Sequence, residues 1–211
     1  ACWHKVYQLL RVGVRRLLLY GPPATGKTHV AAEFAAHLHA EQFSLTFAED
    51  SDSASALAFW RPGTDGFTLQ DGPLASAWRL STVGPVVLAL HEVDRASSEV
   101  VTMLSAALDD PRVARITLPD GSVISPGPDL HVIATMNGDL ADLRPALLSR
   151  LSIRVNVNEP HPFALKPLRP VLLNTVAAVM SGTADSQLPI TVREFRALEW
   201  LLRKGCDPTV A

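Results

Sequence analysis

A glycine-rich segment, residues 21–28, contains the residue types that bind phosphate groups. It reads Gly-x-x-x-x-Gly-Lys-Thr, follows an apolar run and opens a stretch with helical spacing, which is the context that this motif requires. Glycines let successive backbone N–H groups point at phosphate oxygens, and the N-terminus of the next helix adds a favourable dipole. The lysine is expected to reach the β- and γ-phosphates of ATP, and the threonine hydroxyl to bind Mg²⁺. The predicted nucleotide-binding residues of this segment are Gly21, Pro22, Pro23, Ala24, Thr25, Gly26, Lys27 and Thr28.

A second group with chemical potential follows another apolar run, which ends in His91 and Glu92. The carboxyl end of a parallel strand is where an open α/β sheet places its ligand. Glu92 has the chemistry to orient and deprotonate an attacking water. His91 stands where phosphate-loop ATPases normally have an aspartate that helps to hold Mg²⁺, and a neutral imidazole brings no negative charge. Two interpretations of His91 stay open: a direct role in nucleotide binding, and a histidine packed in the core. Asp94 either compensates for it or caps the next helix.

Strands that alternate with helices are needed to position these groups. Apolar runs predict strands at residues 16–20, 42–47, 85–91, 130–135 and 151–155, and helical spacing predicts helices at residues 27–40, 73–80, 98–108 and 144–149. This alternation is the βαβ pattern of a parallel sheet covered on both faces. The expected fold class is therefore α/β, with five mainly parallel strands. Residues 115–124 show a strand pattern on both sides of Pro119, Asp120 and Gly121, which predicts an inserted hairpin.

The composition changes at residues 159–170, where four prolines prevent any long uninterrupted element. We place a domain boundary there, with a core domain at residues 1–158 and a small helical unit at residues 159–211. Helical spacing recurs at residues 171–180 and 192–204, and Thr191 with Glu194 predicts a capping box before the second of these helices. The chain ends suggest a fragment, so we expect the helical unit to be truncated.

Composition and charge exclude several classes of protein. The 211 residues are 47% hydrophobic and 19% charged, which argues against a disordered chain and a highly charged coiled coil. The formal net charge of −2 makes nucleic acid an unexpected partner. The apolar runs are too short for a membrane span. Cys2 and Cys206 form neither a metal-ligand nor a disulfide pattern, so we expect a reducing compartment, the cytoplasm.

Segments in a characteristic order resemble the MoxR-like branch of the AAA+ ATPases over nearly the whole chain. This resemblance implies a three-layer αβα core with a small C-terminal helical lid, and it implies ATP and Mg²⁺ as cofactors. The similar segments are Walker A at residues 21–28, Walker B at 88–96 with its aspartate replaced, the sensor 1 strand at 132–137, the arginine-finger segment at 145–150, the start of the sensor 2 helix at 191–193, and two further stretches at 67–74 and 116–124.

The resemblance also implies roles for individual side chains. Asn137 would position the attacking water beside Glu92, and Arg193 would reach the γ-phosphate from the lid of the same subunit. For Asn137, the alternative is an ordinary turn residue before Gly138. For Arg193, the alternative is a solvated arginine in the first turn of a helix, although a cation gains nothing from the helix dipole there.

Arg150 has the role of an arginine finger in this resemblance. Its guanidinium would enter the nucleotide site of a neighbouring subunit and stabilise charge on the transferred phosphoryl group. A surface salt bridge is the alternative, and Arg144 and Arg154 lie near enough to compete for the role. Leu151 departs from the aromatic residue that is common after this arginine in the family.

The expected function is that of an ATPase that remodels a protein client or adaptor, or acts like a chaperone. It would work as a homo-oligomeric ring, with a hexamer expected, because Arg150 is useful only when a neighbour supplies the phosphate. The alternative is a nucleotide-gated assembly or scaffold protein in which His91 makes hydrolysis slow or absent.

Overall fold

Strands and helices alternate along most of the chain in the computed structural model, which describes residues 2–64, 66–180 and 191–204. The strands are β1 (Arg16–Tyr20), β2 (Glu41–Thr46), β3 (Ala58–Gly63), β4 (Gly66–Asp71), β5 (Val86–His91), β6 (Ile116–Thr117), β7 (Val123–Ile124), β8 (Leu130–Thr135) and β9 (Arg154–Asn156). The helices are α1 (Cys2–Arg11), α2 (Lys27–Leu38), α3 (Ala54–Leu57), α4 (Pro73–Leu80), α5 (Ser98–Ala107), α6 (Pro145–Arg150), α7 (Pro162–Leu165), α8 (Pro170–Met180) and α9 (Val192–Arg203). Single-turn 3₁₀ helices occupy Val93–Arg95 and Leu140–Asp142.

Five of the strands form one parallel sheet in the order β2-β5-β8-β1-β9. Every residue of β5 is buried, as expected for a strand covered by helices on both faces. Because all five strands run in one direction, their carboxyl ends meet at one edge of the sheet. The segments after β1, β5 and β8 are therefore brought together there.

Separate apolar clusters cover the two faces of the sheet. On one face, α4, α5 and α6 pack Trp78, Leu104 and Leu147 against the strands. On the other face, α1 and α2 contribute Trp3 and Phe34. The result is a three-layer αβα arrangement, so the predicted fold class and the five-stranded parallel sheet are confirmed.

The last core strand lies later in the chain than its apolar pattern predicts. We expected it at residues 151–155, but β9 is Arg154–Asn156. The N–H of Leu151 donates to the carbonyl of Leu147 at 3.0 Å and closes α6. Leu151 is fully buried against the helical layer. Its apolar character therefore serves helix packing rather than the sheet.

Several elements have no counterpart among the predictions, namely α1, the β3–β4 hairpin and the one-turn helices α3 and α7. In α1, Trp3, Val6 and Leu10 are buried at helical spacing. This helix precedes β1, so it lies outside the alternation of strands and helices on which the predictions were based. The antiparallel hairpin of β3 and β4 pairs from Ala58 with Asp71 to Gly63 with Gly66. Most of its side chains are exposed, so it lacks the alternation of buried and exposed positions by which a sequence reveals a strand. The predicted short hairpin is present as β6 and β7.

Helices α7, α8 and α9, which we call the lid, pack around their own apolar cluster. Within the lid, Glu199 is 2% exposed and its carboxylate accepts from Arg169 at 3.3 Å and Arg203 at 2.8 Å. The predicted capping box between Thr191 and Glu194 is present at the start of α9. The domain boundary after residue 158 stays a prediction. Among the described residues, no helix has the length and apolar character to cross a membrane.

Candidate functional site

A cavity of about 710 Å³ lies at the carboxyl edge of the sheet, with walls from both the core and the lid. This size suits a small organic ligand. The phosphate loop, residues 21–28, and the ends of β2, β5 and β8 supply the core side, and α7 and α9 supply the lid side. The predicted site residues that line the cavity are Pro23, Ala24, Gly26, Lys27, Thr28, His91, Glu92, Asn137 and Arg193.

The backbone of the phosphate loop needs glycine at its two ends. Gly21 and Gly26 have φ values of 127° and 103°, a region that side chains disfavour. A Cβ on Gly26 would lie 2.6 Å from the Cβ of His161, and one on Gly21 would lie 2.7 Å from the carbonyl oxygen of Val157. The helix α2 then begins without a side-chain cap. Its first N–H groups have no side-chain partner, which favours an anion there.

The three loop residues outside the cavity wall hold the loop in shape. The carbonyls of Gly21 and Pro22 accept hydrogen bonds from the lysine of the loop. The hydroxyl of Thr25 donates to the carbonyl of Pro22 at 3.2 Å, and its own carbonyl accepts from the N–H of His161 at 2.7 Å. The hydroxyl-bearing Thr28 is exposed on the cavity wall.

Lys27 is bound to its own loop in this structure. The Nζ atom donates to the Gly21 carbonyl at 2.9 Å and to the Pro22 carbonyl at 2.6 Å, and only 6% of the residue is exposed. Burial lowers the pKa of Lys27 to about 8, and the charge of Asp94 works against this shift. A phosphate that enters the cavity would therefore replace neutral carbonyls as the partner of the ammonium group.

His91 ends β5 and is both packed and on the cavity wall. Its Nδ1 atom lies 3.2 Å from the Oγ1 atom of Thr135 on the neighbouring strand. Burial lowers the pKa of His91, and the charge of Glu92 partly offsets this. The side chain is therefore neutral near pH 7 and adds no negative charge to the site.

Glu92 occupies a backbone conformation that few residues other than glycine adopt, with φ 56° and ψ 46°. Such conformations cost about 1–3 kcal/mol and concentrate at functional sites. The Glu92 carboxylate pairs with the Nε of Arg95 at 3.3 Å. Asp94 does not cap the next helix, because Ser97 is the N-cap of α5 and accepts from the N–H of Val100. One carboxylate oxygen of Asp94 is buried without a hydrogen-bond partner among the described residues.

Asn137 lies two residues beyond β8 and lines the cavity. Gly138 follows with a φ of 80° and forms an isolated bridge to Gly21. The chain thus bends at Asn137 next to the phosphate loop, and the role of Asn137 in positioning water stays a prediction.

Two arginines of the first turns of α9 face the cavity. Arg193 was predicted from the sequence as a site residue, whereas Arg196 was not. Both are exposed, and neither has a hydrogen bond or an ion pair within the part of the chain that the structure describes. Their spacing of three residues puts them on the same helix face, and this spacing is the signal that identifies Arg196 once Arg193 is placed.

His161 was also not predicted as a site residue. It contacts the phosphate loop and α1, and it is the N-cap residue of α7 in the lid. Its Nε2 atom lies 2.6 Å from the hydroxyl of Tyr7, which donates to the Glu33 carboxylate at 2.6 Å. The ring of Trp3 packs edge-on against it at 4.5 Å. The local sequence does not indicate this role of His161, because Tyr7, Glu33 and Trp3 lie more than a hundred residues away in the chain.

The ligating atoms of His29, Glu33 and His161 lie within 4.8 Å of one another, as in a metal site. However, the N–H of Phe163 donates to Nδ1 of His161 at 3.2 Å, which leaves the proton of the neutral ring on Nε2. That nitrogen then donates towards Tyr7 and offers no lone pair to a metal. The cluster is a hydrogen-bond network that fastens the lid to α2. On its cavity side, Phe163 stacks on His29 with the ring centroids 4.9 Å apart.

Arg150 lies outside the cavity and is held within its own chain. Its Nε donates to the carbonyl of Ser105 at 2.6 Å, and an Nη pairs with Asp109 at 3.2 Å. Arg154 donates to the carbonyls at the end of α6, whereas Arg144 is exposed at its start. None of these three arginines is among the residues that line the cavity of its own chain.

The sheet order, the phosphate loop and the lid together define the AAA+ class of ATPase domains. Residues 16–151 match the model of the AAA domain family, dynein-related subfamily, and the chain belongs to this family.

Relatives of the chain include uncharacterised proteins of two staphylococci. The chain is 30% identical over 129 residues to a protein of Staphylococcus haemolyticus and 27% identical over 129 residues to one of Staphylococcus saprophyticus. In both cases the match covers 58% of this chain and 47% of the relative. The chain therefore spans about half the length of the curated relatives that it matches.

Solved structures share the fold at low sequence identity. A protein of Cytophaga hutchinsonii that is inferred to be an ATPase matches with a TM-score of 0.56 and 14% identity, over 96% of this chain and 58% of that chain. A variant of RuvB from Thermotoga maritima matches with a TM-score of 0.59 and 16% identity, over 96% of this chain and 61% of that chain. At such identities these likenesses support the fold alone.

Proposed function

We propose that this chain is the nucleotide-binding module of a ring-forming ATPase of the MoxR-like branch, which remodels a protein client or adaptor. The observation that carries the proposal is the cavity itself. Phosphate-binding cations, Lys27 and Arg193, and water-positioning groups, Glu92 and Asn137, line one space although they come from distant parts of the chain. This is the arrangement that hydrolysis of a nucleoside triphosphate requires.

Each group has a role in this proposal. The phosphate loop binds the triphosphate, Asn137 positions the water and Glu92 takes its proton. Arg193 brings the lid onto the γ-phosphate. The predicted helical domain at residues 159–211 would then close on the predicted core domain at residues 1–158. Arg150 of a neighbouring copy completes the site in a ring, for which a hexamer is the expected form.

The site suits Mg²⁺ only in part. The Thr28 hydroxyl is an oxygen donor exposed on the cavity wall, as a magnesium ligand should be. His91 brings a nitrogen in place of a carboxylate, and Mg²⁺ prefers oxygen ligands. Glu92 is already paired with Arg95, and Asp94, which has a buried oxygen without a partner among the described residues, does not line the cavity. The described lining therefore offers no unpaired carboxylate to a magnesium ion.

The histidine at position 91, in place of a carboxylate, also supports a second candidate function. With a neutral His91 and with Glu92 paired to Arg95 at 3.3 Å, the site can hold a nucleotide while its water-activating groups are impaired. The protein would then be a nucleotide-gated assembly or scaffold rather than a motor.

Steady-state ATP turnover of three proteins separates the candidates. The native protein is compared with Glu92→Gln, which removes the base, and with His91→Asp, which restores the carboxylate. Turnover by the native protein above that of Glu92→Gln supports the ATPase. Turnover equal to that of Glu92→Gln, with a gain only in His91→Asp, supports the scaffold. Calorimetric titration of the same three proteins with ATP measures binding, and absence of nucleotide binding by all three would reject both.

A further inference from the structure

The cavity has an unusual balance of charge for a site that is proposed to use magnesium. Among the described residues that line it, Lys27, Arg193 and Arg196 are cations and Glu92 is the one carboxylate. Glu92 is already paired with Arg95, which does not line the cavity. The histidines at the wall include His91, whose buried ring is neutral near pH 7. Asp94 does not line the cavity, but its charge reaches Lys27. Even with Asp94 counted, the three cations outnumber the two carboxylates, so the cavity attracts anions.

Two features of this chain produce that balance. Position 91 lacks the negative charge of an aspartate, and position 196 adds a positive charge on the lid. Relative to a site with an aspartate at 91 and a neutral residue at 196, the cavity is more positive by two charges. That difference equals the charge of a magnesium ion, whose electrostatic task is to neutralise triphosphate oxygens.

The position of Arg196 allows it to perform this task. It lies one turn after Arg193 on the same face of α9, and it has no hydrogen bond or ion pair to a described residue. Among the described residues, no contact of its guanidinium has to be broken before it meets a phosphate. A guanidinium also binds phosphate oxygens through paired N–H groups, which a point charge cannot do.

We propose that this site binds nucleoside triphosphates as the metal-free anion, with Arg196 supplying the neutralisation that magnesium supplies in sites with an aspartate at position 91. The inference rests on the proposed function, since it requires the cavity to be a nucleotide site. It adds a binding residue, Arg196, and it names the form of the ligand. It also separates nucleotide binding, which needs no metal, from hydrolysis.

The test is calorimetric titration with a non-hydrolysable ATP analogue, in excess EDTA and in excess magnesium chloride. For the native protein, the dissociation constants in the two conditions should agree within about threefold. Arg196→Ala should weaken binding about tenfold or more in EDTA and less in magnesium, because the ion can replace the lost charge. Lys204→Ala removes an exposed charge from the far end of α9 and should match the native protein.

His91→Asp provides the reverse case. The added carboxylate repels the free triphosphate and helps to hold the ion, so magnesium should strengthen binding to this variant about tenfold to a hundredfold. A native protein that loses about tenfold or more of its affinity in EDTA would overturn the inference and leave the proposed function intact. Equal behaviour of Arg196→Ala and Lys204→Ala would remove Arg196 from the site. Absence of binding in both conditions would reject the proposed function itself.

Discussion

Lys27 is the residue on which phosphate binding most directly depends. Its ammonium group is turned onto the carbonyls of Gly21 and Pro22 in the structure. Both contacts are to neutral oxygens, so an anionic phosphate is a stronger partner. The buried position of the side chain means that its charge is poorly solvated and gains much from a phosphate.

Lys27→Ala should therefore abolish detectable nucleotide binding. Loss of a buried charge-assisted contact to two phosphates corresponds to about 3 kcal/mol, or at least about a hundredfold in affinity. Calorimetry with ATP measures the effect, and Lys5→Ala on the exposed side of α1 is the control for loss of charge. Equal affinities of the native protein and Lys27→Ala would contradict the phosphate-loop assignment.

Nucleotide affinity should fall at alkaline pH. Burial lowers the pKa of Lys27 to about 8, and only the protonated form carries the charge that attracts phosphate. Affinity is therefore retained below this pKa and falls as pH rises through it, by up to about tenfold per pH unit. The second ionisation of a phosphate group has a pKa of about 6, so this group gains little further charge above pH 8.

Titrations from pH 7 to 9.5 at constant ionic strength measure this dependence. In Lys27→Arg, the guanidinium keeps its charge over the whole range, so whatever affinity remains should be flat. A decline of the same size in both proteins would assign the titration to another group.

Several individual site residues could be predicted because they follow a local sequence pattern. Lys27, Glu92 and Asn137 each lie next to an apolar strand, and the structure places all three on the cavity wall. His161 and Arg196 were missed for a physical reason. Their importance comes from contacts across the fold, and neither has a local sequence signal until a partner has been placed.

At the scale of elements, the corner between β1 and α2 is closely packed against the segment that leads into the lid. Gly26 has a left-handed φ of 103°. The Cα and Cβ atoms of His161, the residue before α7, lie next to it. The corner is thus in contact with the segment that leads into α7 to α9. A change in the shape of the loop would be transmitted to the lid at this point.

Gly26→Ala should destabilise the protein and weaken nucleotide binding together. The new Cβ would lie 2.6 Å from the His161 Cβ, in a conformation that alanine disfavours, at a cost of about 2 kcal/mol or more. Gly84→Ala is the matched control, because its Cβ would meet nothing within 4 Å and its φ is not left-handed. Denaturant midpoints and calorimetric affinities are the measurements. A Gly26→Ala protein as stable as Gly84→Ala would show that the contact with His161 yields easily.

The central core strands were predictable because burial on both faces leaves a continuous apolar run, whereas the edge strand β2 has no fully buried residue. The residues of β5 from Val86 to Leu90 are almost completely buried, and their sequence pattern gave the strand within one residue. The β3–β4 hairpin was not predictable, because Phe59, Trp60 and Phe67 are apolar yet exposed. An isolated two-stranded hairpin has no buried face to impose a pattern.

For the whole molecule, the proposed role of Arg150 depends on a neighbouring copy of the chain. The guanidinium is held by the Ser105 carbonyl and Asp109, at a place that does not line the cavity of its own chain. These contacts fix its direction without neutralising it completely, since about a third of the side chain is exposed. If Arg150 acts on a nucleotide, it acts on that of a neighbouring copy.

Mixing two inactive variants should therefore restore activity. Arg150→Ala keeps its phosphate loop but lacks the finger, and Lys27→Ala keeps the finger but cannot bind ATP. In a mixed ring, some interfaces join an intact finger to an intact loop. An arginine finger is worth about 10³ to 10⁵ in rate, so even a small fraction of such interfaces should be detectable as ATP turnover above that of either variant alone. The control is Arg144→Ala mixed with Lys27→Ala, which tests the exposed arginine at the start of α6. Lack of rescue, with co-assembly demonstrated by sedimentation, would make Arg150 a structural residue that ties α6 to α5.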